Sequence, residues 1–210
     1  MALSYNQATP GRRLERIAAL SDGVFAIAMT LIVLEIHVPD AGPIHSEQDL
    51  WDALLRLGPR LLTYFLSFLT LGIFWNGQQT QLNLFSTADR DLTWLQLAFL
   101  ATVALMPFST SLLAEFITFR LPLVEYWLNI FLIGLLLYFN WVYAIRKGLV
   151  KKEVTPAVSA AVKRRIFVGQ SLYAFGALLC VVSPLLSIAF IVLVQLNFAI
   201  APKIPFLSRF

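Results

Sequence analysis

The sequence predicts an all-α integral membrane protein, one domain over residues 1–210 with six transmembrane helices. Two observations carry this. Charged residues are only 13% of the chain and hydrophobic residues 59%, whereas about a quarter of a soluble domain is charged. The apolar residues are also gathered into runs of a length that crosses the hydrocarbon core, about 20 residues each. The single Cys180, inside such a run, excludes an intrachain disulfide and a multi-thiolate metal cluster. The first 15 residues are polar and the first apolar segment is too long for a cleaved leader, so no signal peptide is expected.

The spans fall at about 16–38, 58–82, 92–117, 124–147, 164–182 and 184–202. Leu61 to Ala88 and Leu92 to Ala114 contain no charge, and neither does Tyr126 to Ile145. The last uncharged run, Ile166 to Pro202, has 37 residues, near 55 Å as one helix and well beyond a core of roughly 30 Å. Ser183-Pro184 divides it, since proline disfavours helix before itself and suits the start of the next. Between spans four and five, Val154 to Val162 reads as an uncharged linker. Even parity puts both termini on one side. Thirteen of the 16 basic residues lie on that side, crowded at Arg12, Arg13 and Arg16 and from Arg146 to Arg165. That makes it the cytoplasmic side. Basic residues beside apolar spans set topology, and no nucleic-acid partner is expected. Asp40, Glu47, Asp49 and Asp52 on the opposite side form either a solvated loop or a mildly acidic vestibule.

Nothing in the sequence assembles a catalytic site. His37 and His45 lie at or beyond the outer end of span one, and no Ser/His pair, paired-Asp arrangement or phosphate loop appears. The informative stretch is Arg16 to Ile36, RIAALSDGVFAIAMTLIVLEI. Leu20, Val24, Ile27, Leu31, Leu34 and Val38 form one apolar stripe at about 100° per residue, bordered by Thr30 and Gly23. Asp22 lies almost opposite, with Ser21 between. A carboxylate at membrane depth needs a protein partner, so the face opposite the stripe is expected to be buried against protein. Arg16 would have to wrap round the helix to reach it, and Trp75, Asn76 or Gln78 on span two are alternatives. The stripe then faces lipid, a packing partner or a symmetry axis. Pro107 kinks span three and frees a carbonyl for Ser109 or a neighbouring helix. Glu35 is an interfacial carboxylate or a cation site.

Arg16-x-x-x-Leu20-Ser21-Asp22, followed by Gly23-Val24-Phe25-Ala26-Ile27-Ala28-Met29-Thr30-Leu31, resembles the RxxxFSD signature of the transmembrane protein 175 family of potassium channels. The likeness continues through Leu34-Glu35-Ile36, Phe74-Trp75 and Met106-Pro107-Phe108. The chain departs from the pattern at Leu20, where the signature has Phe, and at Gln78 and Gln79, where the family often has histidines. The resemblance implies a homotetramer in a bacterial plasma membrane, around a central pore lined by the first helix, without a TVGYG filter. It implies apolar rings at Ile27, Leu31 and Leu34 with Thr30 at their edge, Ile27 being the constriction and gate. Arg16, Ser21, Asp22 and Trp75 would form the network that holds this helix. The implied activity is K⁺ permeation with modest selectivity over Na⁺. No cofactor, small-molecule substrate or metal beyond permeant K⁺ is expected. A secondary transporter or a non-conducting membrane scaffold is the alternative, and no inverted repeat is visible to support the first.

Overall fold

A computed structural model describes residues 10–200; Lys203, Arg209 and the end of the sixth predicted span lie outside them. The described residues are helical and form no β-strand. Helix α1 (Pro10–Leu31) runs on into a 3₁₀ turn, Ile32–Glu35. A short α2 (Glu47–Arg56) precedes α3 (Gly58–Leu84), and α4 (Arg90–Ala104) is broken from α5 (Met106–Glu115) at Leu105. Then come α6 (Arg120–Arg146), α7 (Pro156–Leu178) with its 3₁₀ extension Leu179–Val181, and α8 (Pro184–Ile200).

By length and composition, Arg13–Glu35, Arg90–Glu115 and Arg120–Arg146 can cross a membrane, and the α2–α3 pair, bent by 43°, is a fourth such stretch. Pro107 sits in the first turn of α5, where the missing N–H costs nothing, so the helix is interrupted at Leu105 and resumes. Pro184 opens α8 in the same way. The segment 154–162 differs from its sequence reading. It is not a linker: Thr155 caps a helix by accepting from Val158 N at 3.3 Å, and Pro156 begins α7. A capping Thr followed by Pro is a start signal that outweighs the absence of charge.

Not every successive helix reverses direction: α2 and α3 differ by 43°, and α4 and α5 form one stretch. One end of the bundle gathers the start of α1, the α3–α4 connection and the α6–α7 connection. There Phe85 stacks on Trp141 at 6.0 Å, Ser86 N donates to Leu149 O at 2.8 Å, and Lys151 N donates to Leu84 O at 2.9 Å. Asp89 caps α4 through Leu92 N and accepts from Tyr143 Oη, both at 2.8 Å. The other end holds Glu35, α2, Arg60, Glu115 and Arg120. Between them the core is built on Phe25, Phe99, Val103, Met106, Ile130 and Ile133, all essentially buried.

Two glycines are needed for close helix approach. The Gln170 side chain lies across Gly134, where a Cβ would fall 1.8 Å from Nε2, and at Gly176 a Cβ would meet Ile191 Cγ1 at 2.8 Å. Gly176→Val forces α8 away from α7 and is expected to cost about 1–3 kcal/mol. A lowered melting temperature of the detergent-purified protein checks this, and an unchanged one would show that the two helices are not in van der Waals contact there.

Candidate functional site

Helix α1 is attached to the bundle along one face only. Ile17, Ser21, Phe25, Ala28 and Ile32 are buried, spaced by four, four, three and four residues as an α-helical stripe requires. Phe25 meets Phe99 of α4 with ring centroids 6.1 Å apart. The predicted apolar stripe lies about 100° round the helix from this face. It is open in the single chain: Ile27 is 60% exposed, Leu31 43% and Leu34 65%, while Val24 turns partly inward against the core. The 3₁₀ turn after Leu31 keeps the line going, because residues i and i+3 eclipse in that geometry and Leu34 comes to lie over Leu31. Thr30 is exposed at the border, but its hydroxyl is returned to the helix, donating to Ala26 O at 3.0 Å and Ile27 O at 2.9 Å. It offers the open face a methyl group.

Two polar networks hold α1. At Ser21–Asp22 the partners come from α3. Ser21 Oγ donates to Gln78 Oε1, and Gln78 Nε2 donates onward to Gln96 Oε1 of α4 at 2.8 Å. Ser21, Gln78 and Gln96 are all buried. Asp22 reaches sideways instead. Its Oδ1 accepts from Trp75 Nε1 at 2.8 Å and from Gln79 Nε2 at 2.6 Å, and its side chain stays exposed on the surface of the bundle. The expectation that the face opposite the stripe is buried is therefore corrected. The buried face is the Ser21 face, between the stripe and Asp22. Trp75 is a partner as read from the sequence, Gln78 serves Ser21, and Asn76 has no part. Arg16 is exposed and forms no hydrogen bond or ion pair with any described residue.

The second network fixes the other end. Glu35 Oε2 accepts from Ser111 Oγ of α5 at 2.8 Å. Arg60 Nη1 donates to Glu35 O at 3.0 Å and faces His37 Nδ1 at 3.1 Å, while its Nη2 pairs with Glu115 at 2.7 Å. Glu35 is thus a structural latch. Sequence reasoning missed Gln96, Ser111 and the Arg60–Glu115 pair. Gln96, a polar residue inside an uncharged span, was the available signal; the others depend on which helix ends meet. The acids beyond Glu35 belong to a folded segment. Asp49 accepts from His45 N at 3.1 Å, and bonding to Ser46 and His45 holds its carboxyl below the usual range. Ser109, two residues after Pro107, donates to Glu125 Oε1 at 2.9 Å and accepts from Asn129 at 2.8 Å. No group of three or more His, Cys, Asp or Glu among the described residues could hold a metal ion.

Comparison with known proteins gives a consistent result. A model of the family described as "Endosomal/lysosomal potassium channel TMEM175" matches residues 16–107, which contain α1 from Arg16 onward and the Trp75–Gln79 face of α3. A protein of Streptomyces collinus named a potassium channel is 43% identical over 103 residues, 49% of this chain and 48% of that relative. The chain spans about half the length of the first curated relatives it matches. A Chamaesiphon minutus protein, also named a potassium channel, is 32% identical over 191 residues, 88% of this chain and 93% of the relative. The crystal structure of a lysosomal potassium-selective channel TMEM175 homolog from Chamaesiphon minutus superimposes with a TM-score of 0.77 at 28% identity, covering 90% of this chain and 98% of that one.

Asp22→Ala leaves the Trp75 and Gln79 donors without their acceptor and is expected to lower stability by about 1–3 kcal/mol. Asp22→Asn keeps an acceptor oxygen and should lose less. Thermal unfolding in detergent checks the order; a wild-type melting temperature for Asp22→Ala would remove this pair of bonds as the anchor of α1.

Proposed function

The chain belongs to the TMEM175 family, and from that premise we propose that it is a K⁺-permeable channel of a bacterial plasma membrane. The observation that carries this is the open face of α1. This membrane-length helix buries one side against its own bundle and leaves Ile27, Leu31 and Leu34 exposed, free to meet either lipid or other copies of the chain, and only the second gives an ion a path along them. Four copies arranged about an axis would bring the four faces together around a central path, with six spans per subunit and both termini on the cytoplasmic side. The concentration of basic residues at one end of the bundle supports that orientation.

In this arrangement Ile27, Leu31 and Leu34 form successive apolar rings, and Ile27 is the constriction and gate. An apolar ring obstructs a hydrated ion by size and by dewetting. The isoleucine and leucine rings supply no oxygen to replace lost water; Thr30 Oγ1, which donates its hydrogen to Ala26 O and Ile27 O, keeps its lone pairs at their edge. Selectivity then rests on the cost of partial dehydration, which is smaller for K⁺ than for Na⁺, and is modest. The Ser21–Gln78–Gln96 and Asp22–Trp75–Gln79 bonds set which face of α1 points inward. Arg16, which has no partner among the described residues, is assigned here to the cytoplasmic entrance, where its charge meets passing ions or a neighbouring copy. Glu35 holds the outer end of the helix and is not itself an ion ligand.

The test is flux into liposomes containing the purified protein. K⁺ flux is expected to exceed Na⁺ flux. Ile27→Asn is expected to raise the K⁺ rate by wetting the ring and to erode the preference. Equal rates for wild type and Ile27→Asn would show that Ile27 is not the constriction. An absence of any flux from well-inserted protein would favour a non-conducting scaffold, with the stripe as a packing seam.

A further inference from the structure

On the side of the bundle away from α1, the helices α3, α6, α7 and α8 leave a groove. Ile73, Phe74, Leu137, Ile166 and Phe198 form its apolar walls, with Gly77 and Gly169 giving it width, in a cavity of about 80 Å³. Arg165 stands in its lining, beside the concentration of positive charge that runs from Arg146 to Arg165. Its floor is not inert. Gln81 is 1% exposed, donates from Nε2 to Leu137 O at 3.1 Å, and leaves Oε1 buried with no hydrogen-bond partner among the described residues. The Oε1 of Gln170, also in the lining, is likewise buried and unpartnered. An acceptor withheld from water without a donor costs about 1–3 kcal/mol. The groove therefore combines an apolar body, a cation and an acceptor awaiting a hydrogen.

We propose that this groove is a binding site for an anionic phospholipid whose head group carries a hydroxyl, of the phosphatidylglycerol type. The phosphate lies on the Arg165 guanidinium, the geometry that group matches best. The head-group hydroxyl donates to Gln81 Oε1, and an acyl chain covers the apolar walls. A choline lipid offers Gln81 no donor and brings a cation to the basic end. Water fills what remains beside Gln170. The inference rests on the membrane reading above, which sets the basic end in one leaflet, but not on conduction.

The experiment is native mass spectrometry of the delipidated protein, given equimolar phosphatidylglycerol, phosphatidylmethanol and phosphatidylcholine. Phosphatidylmethanol has the same charge but no hydroxyl. Retention is expected to fall in that order. Arg165→Gln should lower retention of both anionic lipids by about fivefold, the weight of one basic residue at an anionic surface. Gln81→Leu should abolish the preference for phosphatidylglycerol over phosphatidylmethanol. Gly169→Leu should exclude all three lipids; a Cβ there meets nothing within 4 Å, so the fold tolerates the substitution while the groove is filled. Lys163, outside the lining, is the control. If Lys163→Gln lowers anionic-lipid retention as much as Arg165→Gln does, or if Gly169→Leu leaves retention unchanged, lipid is held by diffuse surface charge and the site does not exist. Because the readout is bound mass, a protein that retains phosphatidylglycerol but fails to conduct overturns the channel reading alone.

Discussion

The rotation of α1 about its own axis is the constraint on which the helical bundle depends, and two adjacent polar side chains set it. Ser21 and Asp22 are separated by about 100° on the helix, so one points into the bundle while the other leaves sideways. Both are received by α3, through Trp75, Gln78 and Gln79. Those three residues stand at i, i+3 and i+4, one face of a helix. A slip of one residue in α1 would break every one of these bonds and bury an unpaired carboxylate, which is far costlier than the bonds themselves are favourable. The apolar stripe is therefore not free to choose its direction. The position of Asp22 dictates it, even though Asp22 never touches the stripe.

The far end of α1 is held on the same principle by different chemistry. There the chain leaves α-helical geometry for a 3₁₀ turn, and the Glu35 carboxylate meets Ser111 on α5 while Arg60 spans Glu35 O and Glu115. Ser109 and Ser111 of α5, two residues apart and so about 200° round the helix, meet different neighbours, Ser111 the end of α1 and Ser109 Glu125 and Asn129 of α6. Helix α5 thus ties the latch on α1 to α6.

The helical class was legible because long uncharged runs have one cheap solution in a bilayer, a helix that satisfies its own backbone. The break before Pro184 was legible for the local steric reason that proline gives. The start of α7 was misread because composition was weighed above the Thr155–Pro156 start signal. At the site, the periodicity of α1 gave the stripe and the isolation of Asp22 demanded partners, but which glutamine served which oxygen depended on the 100° step between Ser21 and Asp22 meeting the i, i+3, i+4 face of α3. The wheel also placed the buried face wrongly by assuming that the side opposite the stripe must be enclosed. A carboxylate with two good donors can be satisfied at the edge of a packed face. Contacts such as Arg60 with Glu115, 55 residues apart, leave no trace in local sequence.

Clamping α1 at both ends limits how a constriction on it can change. Asp22 and Glu35 are 13 residues apart, a rigid helical segment of about 20 Å that contains Ile27, Leu31 and Leu34. Neither clamp can slide without breaking charge-assisted bonds, so the helix does not turn or shift alone. The remaining local freedom is side-chain rotation, and the three positions differ in it. Ile27 is β-branched and has one strongly preferred χ1 in a helix, whereas Leu31 and Leu34 retain more. A ring of isoleucines consequently has a nearly fixed radius for a given arrangement of subunits. In the proposed assembly, widening at Ile27 must come from movement of whole subunits relative to one another, carrying α1 with α3 and α5 as one body, while Leu31 and Leu34 adjust within each subunit.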